Sequence, residues 1–381
     1  MKKLSIFLSF LLVITLNCGS DDGDASELAS LNIESSNGLR LDLGEMTTLS
    51  VKGFDAGNEP FNVVETISWS ANNANVSIDQ NGIVTGVSVG DVVVTATVGT
   101  ISQSIDLSVW DSTAPRTEIW VSDAGASSNP RYQILKYDEN GRNPEVFTTQ
   151  NLAWPQDILF MEEDEVVLIS NLNSGTIDRY NINTGAFIDS FAAGIDGPTR
   201  MKIGADNLLY VLQWNGDGKV LRYQLDGTFV DEFTNIGVSE SIGMDWDGEG
   251  NLYVSSFNGG SGGSVRKFDP SGNDLGLFIN SNLVGPTNIW FRSNGDMMVN
   301  DWSGGVVARF NSSGSFLRNS ITGLNRPEGV AFFPNGDFLI GNGGTGSVKM
   351  YGSNNAFISD LVVSGEGGLV NPNAVVLRKV N

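Results

Sequence analysis

One motif recurs through most of this chain and limits its fold more than any other feature: a proline, two variable residues, then an apolar residue. It stands as "PQDI" at Pro155, "PTRM" at Pro198, "PTNI" at Pro286, "PEGV" at Pro327 and "PNAV" at Pro372, with "SIGM" at Ser241 filling the one gap. Successive copies lie 43, 43, 45, 41 and 45 residues apart. A repeat of this length, built from short alternating stretches and turns, is one four-stranded blade of a β-propeller. A single blade cannot bury its own apolar faces, so copies must stack.

Each copy has the same interior. A turn and a second strand follow the proline motif, as in "EVVLISN", "NLLYVLQW", "NLYVSSF", "DMMVNDW" and "DFLIGNG". A glycine-led strand comes next, as in "GTIDRYN" and "GSVRKFD", and a further turn leads to a last strand such as "GAFIDSF". Gly, Asn and Asp at the turns supply the positive φ that tight hairpins need. The first unit, "EIWVSDA" then "YQILKYDENG", lacks an inner strand, whereas the last, "PNAVVLRKV", is an inner strand with nothing after it. Joined, they make one blade, so the expected fold over residues 118–381 is a six-bladed, all-β ring closed by its C-terminal strand. "IGMDWDGEGNLYVSSF" and "RPEGVAFFPNGDFLIGN" resemble the NHL-repeat and gluconolactonase-like group of six-bladed propellers.

Ahead of the ring, residues 28–111 alternate apolar and polar positions, as at Leu39, Leu41 and Leu43 and again at Ile105, Leu107 and Val109. That is strand periodicity with one buried face, and Asn81-Gly82 is a hairpin turn signal. The stretch from "ISWSANNANVSID" to "VTATV" resembles the group 2 bacterial Ig-like domain. The resemblance implies a small β-sandwich with Trp69 in its core, bends at Gly86 and Gly90, and a role as a spacer. "DSTAPR", Asp111 to Arg116, overlaps the linker 112–117 that separates it from the ring.

The chain opens on Lys2, Lys3 and an apolar run from Leu4 to Leu16, too short to span a bilayer and suited to a signal peptide over residues 1–17. Cys18 is the single cysteine, so it has no internal disulfide partner. "TLNCGSDDGD" resembles a lipoprotein signal, and its acidic run resembles the surface-export tag of Bacteroidota lipoproteins. The resemblance implies lipidation at Cys18, an acidic tether over residues 18–27, and anchoring at the outer membrane, facing the cell surface or the periplasm. Contact with the membrane is expected through the lipid alone, and the protein is expected to be a monomer.

No histidine occurs anywhere in the 381 residues. That excludes a Ser-His-Asp triad, a histidine general base and every histidine-ligated metal, including the histidine-dependent mechanism of virginiamycin B lyase, a propeller of similar repeat style. The net charge of −22 repels polyanions, so nucleic acid is not an expected partner. "DWDGEGN" copies the start of an EF-hand loop but carries Ser256 where the twelfth-position glutamate belongs, so it reads as a turn.

In a propeller, the loops into the inner strands and those after the second strands open on one face. That rule gathers Asp157, Arg200, Glu240, Asn288, Glu328 and Asn373 around the axis. It places Trp214, Phe257 and Trp302 farther out, joined by Trp154. The resemblance to gluconolactonase-like enzymes implies Asp157, Asn288, Glu328 and Asn373 as ligands of a divalent cation such as Ca²⁺, and a cation-dependent lactonase or esterase activity. The other expectation is non-enzymatic binding of a glycan or surface protein by Arg200, Glu240 and the aromatic residues.

Overall fold

A computed structural model of the chain describes residues 27–126 and 131–380. The signal segment, Cys18 and the acidic run fall outside the described residues. The chain divides between Ala114 and Pro115 into two compact units.

The N-terminal unit packs two sheets on one core. One sheet orders Ser30–Ser35, Met46–Phe54, Ile83–Gly86 and Val76–Ile78, and the other orders Arg40–Asp42, Ile101–Trp110, Gly90–Val98 and Ser68–Ala71. Ile33, Leu49 and Val84 from the first meet Leu41, Val94, Ala96 and Leu107 from the second. Trp69 lies half-buried against this cluster rather than at its centre. Of the three alternating leucines only Leu41 is buried, while Leu39 and Leu43 are 41% and 42% exposed. Their strand runs only from Arg40 to Asp42, and the chain turns at Gly44 before a second inward position can form. At the Asn81-Gly82 hairpin, Asp79 Oδ1 accepts the backbone N–H of Asn81 and Ile83 at 2.8 and 2.9 Å. Gly82 has φ 75, and a Cβ there would stand 2.4 Å from the Leu49 carbonyl oxygen, so the turn requires glycine.

The C-terminal unit is six four-stranded antiparallel sheets. Blade 1 has its second to fourth strands at Arg116–Asp123, Gln133–Tyr137 and Glu145–Thr148, and takes its inner strand from Pro372–Val380. Blades 2 to 6 begin at inner strands Pro155–Met161, Pro198–Ile203, Ser241–Trp246, Pro286–Phe291 and Pro327–Phe332. The first strand starts two residues before the expected boundary because Arg116 pairs with Val380 at the end of the closing strand. Each inner strand contacts the next, and the closing strand contacts those of blades 6 and 2.

Alternation along the second strands explains the stacking. In blade 2, Val167 and Ile169 enter the junction with blade 1, beside Trp120 and Ile134. Leu168 between them points the other way, into the junction with blade 3, beside Met201, Leu209 and Val211. Side chains of period two on a radial sheet feed two junctions at once. The pattern repeats around the ring, and the last junction joins Ala331, Leu339 and Val348 of blade 6 to Ile119, Val121 and Val375 of blade 1.

Candidate functional site

Two repeated hydrogen bonds build the mouth. The residue just after each second strand donates its backbone N–H to the carbonyl of the residue just before the inner strand. The donors, from blade 1 to blade 6, are Ala124, Leu172, Trp214, Phe257, Trp302 and Gly343; the acceptors are Asn371, Trp154, Gly197, Glu240, Gly285 and Arg326. A polar side chain at the end of the second strand reinforces the joint in all six blades, as an acceptor in five and, at Ser256, as a donor to the Ser239 carbonyl. Asn171, Gln213, Asp301 and Asn342 accept backbone N–H groups of the loop into their own inner strand, and Asp123 does so at Val370 and Asn371, just before the closing strand. Two rings of six positions therefore face the mouth, and the residues that occupy them set its chemistry.

The outer ring carries an aromatic arc. Trp214 and Phe257 have ring centroids 5.4 Å apart, and Phe257 and Trp302 are 5.7 Å apart and near perpendicular. All three are half-buried. The guanidinium of Arg326 lies over the Trp302 ring, 5.0 Å from its centroid. Consecutive blades 3 to 6 thus contribute one continuous strip. Trp154, at the equivalent of Arg326 in blade 2, lies outside this arc. Trp154, Glu240 and Arg326 all hold positive φ, at 60°, 50° and 57°. Bulky residues seldom adopt that conformation, and each costs of order 1–3 kcal/mol unless the surroundings impose it.

Glu240 belongs to the rim rather than the axis. Its carboxylate accepts the Gly259 N–H, capping the short turn at Asn258–Gly260 beside Phe257.

The axis is filled by Arg200. Its Nε donates to Asn288 Oδ1 at 3.1 Å, and its Nη2 donates to Glu328 Oε1 and to the Asn373 carbonyl, both at 2.8 Å. Its Nη1 donates to the Gln156 carbonyl. One side chain from blade 3 thereby ties blades 2, 5, 6 and the closing strand together. Asp157 turns aside to accept the N–H groups of Ile158 and Met201 at 3.0 and 2.8 Å. Asn373 reaches the Pro155 carbonyl with its side-chain nitrogen, and the Asn288 side-chain nitrogen donates to the Glu328 carbonyl.

The four residues expected to ligate a divalent cation are therefore brought together, but around a guanidinium. Glu328 and Asn288 direct oxygens at Arg200, and both Asp157 oxygens hold backbone N–H groups. Among the described residues no group of three or more acidic or thiol side chains converges. Asp157, Arg200 and Glu328 are 8%, 5% and 6% exposed. Burial pushes the Glu328 carboxyl up to about 7 against the opposing pull of Arg200, and burial raises Asp157 as well. Below this layer the axial cavity, about 410 Å³, is lined by Met201, Met244, Ile289 and Val375 and bordered by Lys202.

Sequence reasoning missed Arg326 and Asn300. Arg326 could have been found, because it occupies the pre-proline position that in blade 4 had already drawn attention to Glu240. Asn300, fully buried and next to last in its second strand, donates to the Glu328 carbonyl at 2.7 Å; Ser170 and Ser255 at the same repeat position make the equivalent bonds to the Thr199 and Thr287 carbonyls, so the repeat could have marked it. "DWDGEGN" is a hairpin turn: Asp247 accepts from Glu249, Asn251 and Tyr253.

Residues 49–109 match the model of the bacterial Ig-like domain (group 2). No curated protein matches the chain. Among solved structures, a nidogen/laminin complex aligns at TM-score 0.56 and 15% identity, over 68% of this chain and 98% of the other. A protein of unknown function from Bacteroides caccae aligns at TM-score 0.54 and 16% identity, over 70% and 99%. A gluconolactonase from Xanthomonas campestris is more distant, at TM-score 0.46 and 13% identity over 62% and 83%, and carries no argument about activity. At these identities the likeness is one of fold alone.

Proposed function

We propose that the propeller is a non-enzymatic glycan-binding module, presented by a lipid-anchored surface protein whose Ig-like domain serves as a spacer. The arc Trp214, Phe257 and Trp302 is the observation that supports this reading. The C–H face of a sugar ring is apolar and its rim polar, so a half-exposed aromatic face covers the former and leaves the latter in water. The competing reading, a cation-dependent lactonase, needs carboxylate and amide oxygens converging on an open point, whereas here Glu328 and Asn288 direct theirs at Arg200 and Asp157 turns both of its own to backbone N–H groups.

Replacing Trp214 or Trp302 with alanine is expected to weaken binding to a retained polysaccharide at least tenfold, about 1.4 kcal/mol, with little change in thermal stability. Affinity electrophoresis against a polysaccharide panel measures this. Equal retention of wild type and both variants would remove the arc from the binding site.

Lipidation at Cys18 supplies the anchor in this proposal. Cys18→Ser is expected to move the protein from the membrane fraction to the soluble fraction of expressing cells. Unchanged membrane association, read by fractionation and immunoblot, would rule the anchor out.

A further inference from the structure

We infer that the ligand is an uncharged glycan chain several sugar units long, which runs round the mouth from blade 5 to blade 2 and meets Trp154 beyond the aromatic arc. The inference rests on the glycan reading above and adds the charge and the length of the ligand.

Three observations carry it. The first is a rule of placement: the residue before each inner strand adjoins the residue after the second strand of the preceding blade. Arg326 lies over Trp302, a Cβ on Gly285 would stand 2.9 Å from the Phe257 ring, and one on Gly343 would clash with the Asn371 side chain. Each junction between blades therefore presents one such pair at the mouth. Half-buried apolar side chains occupy five consecutive junctions: Trp154 between blades 1 and 2, then Leu172, Trp214, Phe257 and Trp302. Among the described residues, none of the five joins a core cluster of the propeller. The sixth junction has only Gly343 and Asn371. The apolar strip is thus longer than the arc, and a chain of sugars covers it where a single sugar would cover one ring.

Second, Trp154 is held in a conformation that blade 3 gives to glycine. Its φ is 60°, and Gly197 at the equivalent position has φ 69°. Glycine adopts that region without steric cost, and tryptophan does not. Glu240 and Arg326 share the conformation, but the first caps Gly259 and the second lies over Trp302. Among the described residues the Trp154 indole has no hydrogen bond or ring contact to offset its strain. A strained, half-buried side chain without an internal partner points to a partner outside the chain.

Third, the middle of the strip is acidic. Asp196 lies against the turn after Trp214, where a Cβ on Gly216 would clash with its carboxylate, and the Glu240 N–H donates to the Trp214 carbonyl at 3.0 Å. These two carboxylates flank Trp214, against the one guanidinium of Arg326 at the blade 6 end. On a chain of net charge −22, that favours an uncharged polymer over an acidic one.

The test first measures retention of the full chain on neutral polysaccharides (galactomannan, xyloglucan, arabinoxylan, laminarin) and on acidic ones (polygalacturonate, alginate). Size-fractionated oligosaccharides of the retained polymer are then titrated calorimetrically into the wild type, Trp154→Gly, Trp154→Ala and Trp302→Ala. The expected result is retention on a neutral polymer, insensitive to salt, with affinity that climbs as the fragments lengthen. Trp154→Gly is expected to bind the shortest fragments as the wild type does and the longest about tenfold more weakly, the worth of one aromatic face. Its thermal midpoint is expected to be no lower than that of the wild type and above that of Trp154→Ala, which keeps the strain. Equal affinity of wild type and Trp154→Gly for every fragment, with Trp302→Ala still weak, would overturn the extended path and leave the arc standing. Weaker binding with a lowered midpoint in Trp154→Gly would assign the indole to packing and overturn the path as well. Retention on acidic members alone would overturn the uncharged class. No retention on any member would overturn the glycan reading itself.

Discussion

Arg200→Met is expected to destabilise the propeller by about 3–5 kcal/mol, because it leaves Glu328 and Asp157 buried without their cation. The neighbouring carbonyls of Gln156 and Asn373 and the Asn288 amide also lose their donor. Urea denaturation followed by tryptophan fluorescence reads the change. Arg200→Met combined with Glu328→Gln should recover a substantial part of the loss, since a buried ion pair removed as a pair costs far less than one broken. A change below 1 kcal/mol in the single variant would mean that water reaches the axis and compensates both charges.

The second large effect is a dependence of stability on pH with the opposite sign to that of most carboxylates. Glu328 is held up at about 7 in the folded protein against 4.5 when unfolded. Between these values the folded state binds more protons than the unfolded chain. Stability from this group is present in full below pH 4.5 and is lost as pH rises through about 7. The loss is on the order of 3 kcal/mol at 1.36 kcal/mol per pH unit. Asp157, raised by the same burial, acts in the same direction, and Arg200 opposes both. The carboxylates of Asp231 and Asp296, ion-paired with Arg222 and Arg309, are held below their usual value and act only in more acid solution. Denaturation midpoints measured from pH 5 to pH 8 should therefore fall, and Glu328→Gln should flatten much of the slope. A wild-type slope of the opposite sign would place the Glu328 proton elsewhere.

Much of the mouth is legible in the sequence. The recurring proline located five inner strands and Ser241 in its place located the sixth, and the residue following each second strand named Trp214, Phe257 and Trp302 as neighbours. Those positions are local: a strand end fixes which way the next residue points, so a repeat read in one blade transfers to the others. The EF-hand-like "DWDGEGN" was resolved as a turn for the same reason, since its place in the repeat was known.

The axis was harder. Asp157, Arg200, Asn288, Glu328 and Asn373 were all expected near one point, and all lie there except that Asp157 turns toward Met201. Their residue types resembled a cation site, and the pairing of Arg200 with Glu328, 128 positions away, depends on a side chain long enough to cross the ring. Nothing local in either blade reports that crossing. Glu240 shows the converse, a carboxylate at a mouth position that a turn of its own blade, around Gly259, captures first.

Strand periodicity, turn chemistry and the spacing of the prolines were enough to specify blades, their number and the closure of the ring, because each depends on contacts within one repeat or between like repeats. The charge state of the axis, the seating of Arg326 over Trp302 and the continuity of the aromatic arc arise between unlike blades. They depend on distances across the closed ring, which exist only once all six blades have stacked.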